Sequence, residues 1–471
     1  MTGVFAQTVT VGSGDPSPGW YGRGSTISVP ITINDAGGCI DQSNTFNLFL
    51  SDASGNFTPG TLIGSYTGFY TPFVNGVIPA GTPAGTGYKV RVQSTNPVTT
   101  SAASAAFEIK AVTGVTASAS SNKNVAAGVF GQCVGAANSP FVIKNTSAAG
   151  TTVTASFFNT QTQSFEATDV PIPPGGYTFN AANTTTYTVI VKTTDASGTV
   201  GTFQYQLINN PVHQNIGSAG NNFVCLVNNQ GDLSFSIDIS ALSAGGIGAN
   251  YLGDTYVLDW GDGTSTTFTY CQLKALGGVV THTFTLPSCG KTAGNGDSNP
   301  FYVTNSPISP YCGQISAAPG VSAKVIITPT TSFAAPAVAC VGTALTIPNT
   351  SDPGPDYSLG ATSTCLANPG ALYDWTLDGV AVAGYQGVLH SKSFIFPTTT
   401  TPGVHTLTLH SELPASGVGC QAADYTQTIC FENPPQPVFT IPSEICVTSG
   451  PVTPTNTSTI DATCGVDTYT W

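Results

Sequence analysis

Cys225 precedes Trp260 by 35 residues, and Cys340 precedes Trp375 by the same 35. Each tryptophan closes a similar run, Tyr256-Val257-Leu258-Asp259-Trp260 and Leu372-Tyr373-Asp374-Trp375. A further copy starts near Pro434, where Cys446 leads, over a shorter interval, to Tyr469-Thr470-Trp471. A second marker travels with the cysteine. Asn145-Thr146-Ser147 follows Cys133, Asn349-Thr350-Ser351 follows Cys340, and Asn456-Thr457-Ser458 follows Cys446. Successive units start roughly 100 to 115 residues apart, the size of one β-sandwich rather than of a solenoid repeat. The pattern breaks near Ala111, Asn210-Pro211, Pro329 and Asn433-Pro434-Pro435. The expected modules are therefore 7–111, 112–212, 213–329 and 330–433, with the first part of another at 434–471. Trp260, Trp375 and Trp471 are their core markers. Short Pro-containing junctions restrict pivoting, so an elongated, semi-rigid string is expected. The last unit reaches Trp471 where a central strand should be in mid-course. The protein is expected to continue beyond it, or the tail to borrow strands from elsewhere.

What fills these modules is read from residue type. Thr and Val favour strands because branching at Cβ suits a pleated surface, while Gly (53 residues), Pro (33) and Asn punctuate turns. No stretch sustains a 3.6-residue period, so the class is all-β. Disorder, the competing account of such a composition, fails because 40% of residues are hydrophobic and alternate along the chain. Thr26–Ile33, Phe46–Leu50, Tyr88–Val92 and Ala106–Ile109 read as strands of the first unit, and Phe141–Ile143, Tyr187–Val191 and Phe203–Leu207 as strands of the second.

Charge removes several function classes. Only 7% of residues are charged, and the net charge is −13 with 11 Lys and Arg. No basic patch exists to replace phosphate counterions, so neither nucleic acid nor an acidic membrane surface is an expected partner. No apolar run approaches the 18 or so residues needed to span a bilayer. Val4-Phe5-Ala6 before Gln7 resembles the small-residue end of a secretory signal, with mature protein starting at Gln7; an ordinary flexible terminus is the alternative. The 12 cysteines form no CxxC pair, which leaves disulfides in an oxidising compartment as the better explanation than zinc.

The third unit carries Asp259-Trp260-Gly261-Asp262-Gly263-Thr264-Ser265-Thr266, then Thr281-His282-Thr283-Phe284. This resembles the polycystic-kidney-disease (PKD) domain signature, without its usual residues between Trp and Gly-Asp-Gly, and with an insertion around Cys289-Gly290. Asp374-Trp375-Thr376-Leu377-Asp378-Gly379 is closer to a generic immunoglobulin-like hairpin, and Gly403–Leu409 matches the PKD-like penultimate strand. Gly85–Val92 before Ser94-Thr95-Asn96-Pro97 resembles immunoglobulin-like modules of secreted Bacteroidota proteins. The firm match covers about a quarter of the chain. Tandem, Cys-bearing repeats in a Thr-rich acidic chain are similar to the gliding-motility adhesins of that phylum, which leave the cell by the type IX system. The resemblance implies tandem immunoglobulin-like/PKD-like β-sandwiches, a secreted or cell-surface location, and binding to a surface polysaccharide or protein. It also implies contact with envelope-anchoring or secretion machinery.

In an immunoglobulin-like sandwich the first and last strands lie side by side and two loops meet at one end. That suggests Cys340 with Cys430 and Cys365 with Cys420, then Cys225 with Cys312 and Cys271 with Cys289. Cys446 and Cys464 pair with each other or beyond the given end. Cys39 and Cys133 are single in their units, as buried thiols or as partners between domains or chains. Asp254, Asp259 and Asp262 offer carboxylates to a calcium ion, although Asp262-Gly263 is also the expected turn pair and that reading is preferred. The histidines His213, His282, His390, His405 and His410 are scattered; packing accounts for His282 and His405. No nucleophile elbow or phosphate loop is present, and nothing selects a carboxylate dyad. The expectation is a non-catalytic adhesin or filament region without a cofactor. An accessory region of a secreted protease or polysaccharide hydrolase is the alternative, and a self-assembling subunit completed by a neighbour's strand a third.

Overall fold

The structure, a computed structural model, describes residues 8–11, 19–34, 39–132, 139–182, 185–209, 216–238, 253–293, 296, 299–311, 313–314, 319–355, 370–412, 420–448 and 450–465. Two compact units divide the chain. Met1–Gly220, Ser234–Thr281 and Val303–Val321 form the first; Asn221–Leu233, His282–Tyr302 and Ser322–Trp471 form the second. The stretch expected as a third module, 213–329, contributes to both. Strands dominate throughout the described residues.

In the first unit, Thr45–Leu50 lies between Thr61–Thr67 and Val90–Thr95, with Leu48 opposite Val92. A second sheet pairs Thr26–Asn34 with Thr8–Val11 and Phe73–Val77. Alternate residues of these strands point inward, as period-two patterning requires, so Ile27, Val29, Phe46, Leu48, Leu50, Val74, Val90 and Val92 form one core. The expected run Tyr88–Val92 is broken at Lys89. Gly85–Tyr88 pairs with Phe107–Thr113, whereas Val90–Thr95 pairs with Thr45–Leu50, so the chain changes sheet there. The next sandwich sets Thr152–Asn159, Thr185–Thr194 and Thr199–Asn209 against Ala119–Ser121, Phe141–Asn145 and Tyr177–Phe179. Phe141, Phe157, Tyr187, Val189, Val191 and Leu207 fill it.

These two sandwiches are joined by main-chain pairing. Trp20–Arg23 runs parallel to Phe107–Thr113 on one side and to Thr199–Asn209 on the other, inside a nine-stranded sheet. The expected boundary at residue 111 therefore falls within a strand. Close approach of the backbones needs Gly201, where a Cβ would sit 2.2 Å from the Val115 carbonyl oxygen. Ser28 N donates to Thr202 Oγ1 (2.9 Å), and Asn75 Nδ2 donates to the Gln204 carbonyl (2.9 Å) across the same seam.

One helix, Tyr270–Ala275, departs from the strand-only expectation. Thr269 is its N-cap, accepting from the Gln272 amide while Gln272 reaches back to the Thr269 amide. This capping box satisfies two otherwise orphaned donors, and the Thr-Xaa-Xaa-Gln spacing was its sequence signal.

In the second unit, Phe223–Leu226 pairs in parallel with Val321–Ile327. The sandwich that follows is built on Leu372–Leu377, Gly403–Ser411 and Tyr425–Glu432, with Val338–Cys340 added in parallel to the last. Asp378 (φ 51°) and Gly379 (φ 77°) supply the positive-φ pair of a tight hairpin. Trp375 is fully buried among Phe333, Phe394, Leu407, Leu409, Ile429 and Phe431.

Candidate functional site

Three classes of candidate group are placed by the fold: the acidic turn after Trp260, the cysteines, and the Asn-Thr-Ser marker. The strand Thr255–Asp259 pairs with Ser265–Thr269 and buries Trp260, whose Nε1 donates to Thr266 Oγ1 at 3.0 Å. Between the strands, Asp259 Oδ1 accepts from the Gly261 amide (2.8 Å), and Asp262 Oδ1 accepts from the Thr264 amide (2.9 Å) and hydroxyl (2.6 Å). Both carboxylates thus close local turns. Asp254 is buried, and it precedes the five-residue strand, the far end from this turn. At roughly 3.3 Å per strand residue the ends stand about 17 Å apart, too far for one ion. The structure does not bring the three calcium candidates together, and among the described residues no group of three or more His, Cys, Asp or Glu is placed to hold a metal.

The histidines are likewise separate. His282 stands edge-on to Phe284 at 4.5 Å, and His390 Nε2 lies 2.8 Å from the Ser351 carbonyl oxygen. His405 Nδ1 meets Asp378 Oδ2 at 2.8 Å and its Nε2 meets the Thr401 carbonyl at 2.9 Å. Packing alone was expected for His405, and a paired carboxylate is found. Burial lowers its pKa, but the Asp378 and Thr401 contacts outweigh that and raise it. Burial acts upward on Asp378, yet the Thr406 amide and His405 hold that carboxyl below its usual range. His410, five residues on and therefore on the opposite face of the strand, pairs its Nδ1 with Asp424 Oδ1 at 2.6 Å. His213 lies outside the described residues.

The disulfides overturn the expected pairings. Cys39 bonds to Cys271, Cys225 to Cys420, and Cys430 to Cys464. Cys225 therefore does not pair with Cys312, nor Cys420 with Cys365, nor Cys271 with Cys289, nor Cys430 with Cys340. Cys340 and the exposed Cys446 are free thiols. Cys289 is disulfide-bonded; Cys133, Cys312 and Cys365, with Trp471, lie outside the described residues. The physical reason for the misassignment is local. Cys271 sits in the capped helix, off the hairpin that would have faced it toward Cys289. Cys430 is two residues out of register with Cys340, pairing instead opposite Val338. Cys225 and the buried Cys420 share a small apolar cluster with Ile326. Each described disulfide joins two different sequence repeats. Beside the last of them, Asp461 accepts from the Asn433 amide and side chain, both at 2.7 Å, and also from the Thr463 hydroxyl. Those hydrogen bonds, the Thr463 hydroxyl first, hold its pKa down at about 2.

The Asn-Thr-Ser marker has a structural cause. Ser147 N donates to Asn145 Oδ1 (2.8 Å), Ser118 N donates to Ser147 Oγ (2.9 Å), and Thr146 N donates to the Ser118 carbonyl (3.0 Å). The same three bonds recur at Ser351, Asn349, Thr350 and Ser332 with lengths of 3.0, 3.0 and 2.9 Å. They recur again at Ser458, Asn456, Thr457 and Val438, each 2.9 Å. In each copy the Asn faces the next residue of the opposing strand: Ala119, Phe333 and Phe439. A side-chain oxygen bonding its own backbone two residues on fixes the strand end.

One recess was not legible in the sequence. In the first unit, Gln42, Tyr66, Phe69, Tyr70, Thr255 and Ile308 surround about 270 Å³. Tyr66 Oη lies 3.1 Å from Tyr311 Oη. Burial first, and then the neighbouring Tyr311, push the Tyr66 phenol well above its ordinary value, and burial does the same for Tyr70. Its chemistry suits uncharged polar groups: neutral hydroxyls, an amide and aromatic faces.

No known protein family and no curated protein matches the sequence. Solved structures of multidomain proteins align along most of the chain. Sidekick-1 immunoglobulin domains 1–5 are 11% identical, covering 92% of this chain and 80% of that one, with a TM-score of 0.26. A Ca²⁺-stabilized adhesin with which an Antarctic bacterium binds ice is 13% identical, covering 90% and 98%, at 0.23. Three N-terminal domains of the bacteriophage RB49 outer capsid protein Hoc are 14% identical, covering 68% and 99%, at 0.31. At such TM-scores the likeness carries no argument about function.

Proposed function

We propose that this chain is a non-catalytic region of a secreted, cell-surface protein, whose tandem sandwiches serve as a stalk and contact surface for attachment. The observation that carries the reading is the set of disulfides joining different repeats. Such bonds persist in oxidising surroundings and fasten modules to one another rather than shape a cleft. The recurring Asn-Thr-Ser turns and the low charge support the same view. Contact with a surface polysaccharide or protein would use uncharged polar and aromatic side chains such as those around Tyr66. The finer assignment, a gliding-type adhesin of Bacteroidota exported by the type IX system, rests on the resemblance of the third and fourth units to PKD-like repeats. Immunolabelling of intact cells tests location, and attachment of a strain lacking the gene tests role. Unlabelled cells, or a mutant that attaches normally, would count against the proposal.

A second reading, assembly by strand donation, is favoured by one observation. Phe333 is 2% exposed, whereas its counterpart Phe439 is 56% exposed, with Ile441 and Ile445 each at 54%. In the fourth unit such residues are covered by Gly403–Ser411 and Tyr425–Glu432. Light scattering of the purified chain tests it; a concentration-independent monomer speaks against it.

A further inference from the structure

The disulfide connectivity has a mechanical consequence. Cys39–Cys271 spans 232 residues and Cys225–Cys420 spans 195, and the two loops overlap between residues 225 and 271. Cys430–Cys464 closes a further 34. Without cross-links, the covalent path from Cys39 to Cys464 is about 425 residues, roughly 1,500 Å at full extension of about 3.5 Å per residue. With them, a shorter path exists. It crosses from Cys39 to Cys271, runs back along the chain to Cys225, crosses to Cys420, proceeds to Cys430 and crosses to Cys464. Only about 46 residues and then about 10 lie on it, roughly 200 Å in all. The bond at Cys289 can only shorten it further.

We infer that these disulfides form a covalent bypass for tension, a function that rests on the reading of the chain as a surface stalk. Load entering near Cys39 leaves near Cys464 without passing through residues 40–224, 272–419 or 431–463. The core around Phe157 lies wholly outside the loaded path, and the cores around Leu48 and Trp375 do so in large part: Ile27, Val29 and Ile31 precede Cys39, and Ile429 lies between Cys420 and Cys430. Burial holds these modules together, and the bypass takes load off the segments it skips. Among loaded segments are residues 425–430 of the strand Tyr425–Glu432, which is held on both sides by Gly403–Ser411 and Val338–Cys340. Connectivity matters, and not merely cysteine number. The within-module pairing suggested by the repeats would leave about 250 residues loaded, roughly 870 Å.

The test is single-molecule pulling of the full chain between terminal handles, with and without dithiothreitol. Reduction is expected to lengthen the fully extended molecule by about 1,300 Å. The C271S variant, unreduced, is expected to gain up to about 500 Å, because load must then follow the chain from Cys39 to Cys225. An oxidised chain that extends beyond about 800 Å overturns the inference. Non-reducing peptide mapping of the wild type gives a check independent of any variant: peptides pairing 39 with 271, 225 with 420 and 430 with 464 are required, and a different partner for any of these six cysteines refutes it. If cells prove unlabelled but pulling behaves as stated, the functional reading fails and the bypass stands.

Discussion

Phe333 and Phe439 occupy the same position in two copies of one motif, yet they differ in what covers them. Phe333 is 2% exposed, with its ring 5.2 Å from both Trp375 and Tyr425. Replacing a fully buried Phe by Ala removes transfer free energy and leaves a cavity, together costing about 3–5 kcal/mol. Phe439 keeps over half its surface in water, so Phe439→Ala loses about 1 kcal/mol or less. A chain of several sandwiches does not unfold in two states, so a global melting temperature blurs the contrast. Hydrogen exchange read on peptides does not. Amides of Gly403–Ser411 and Tyr425–Glu432 that exchange through opening of that sandwich should lose about 10²–10⁴-fold protection in Phe333→Ala. In Phe439→Ala they should change by less than about tenfold. Equal losses from the two substitutions would refute the argument, since they would mean that Phe439 is as enclosed as Phe333.

Other outcomes follow from the sites. His405 is raised and Asp378 lowered, so their contact supports the hairpin fully only between the unfolded-state values of about 4 for Asp and about 6.5 for His. Support should fade as pH rises through the His405 value and as it falls through the Asp378 value; an NMR titration of His405 should shift downward in Asp378→Asn. Gly201→Ala places a Cβ 2.2 Å from the Val115 carbonyl oxygen, so protection of Thr199–Asn209 should fall by at least ~2 kcal/mol in hydrogen exchange. Because Asp259 and Asp262 serve turns, calcium and EDTA should leave the thermal transitions unchanged, while Asp262→Ala costs about 1 kcal/mol through the lost Thr264 bonds.

Much of the architecture was legible before any coordinates. Alternation placed the strands around Ile27, Leu48, Val189 and Trp375, and Asp378-Gly379 announced its hairpin by the positive φ it needs. The Asn-Thr-Ser repeat was visible, but only its Ser-to-Asn bond is local; the other two bonds tie it to an opposing strand that the marker does not name. The helix Tyr270–Ala275 was not read from the sequence, because six residues are too few to show a period and its one signal was the Thr269-Xaa-Xaa-Gln272 capping spacing. Neither was the recess at Tyr66, because Gln42, Thr255 and Ile308 come from distant stretches and no spacing marks such a site.

The amino-acid order by itself determined which stretches are strands, where they turn and how often the unit recurs, since these depend on interactions within a few residues. Tertiary structure decided which cysteine meets which. Trp20–Arg23 also closes its sheet with two repeats at once, which no local rule states. Both outcomes depend on contacts between segments up to 232 residues apart, where a one-strand change of partner moves a thiol beyond the reach of its apparent mate.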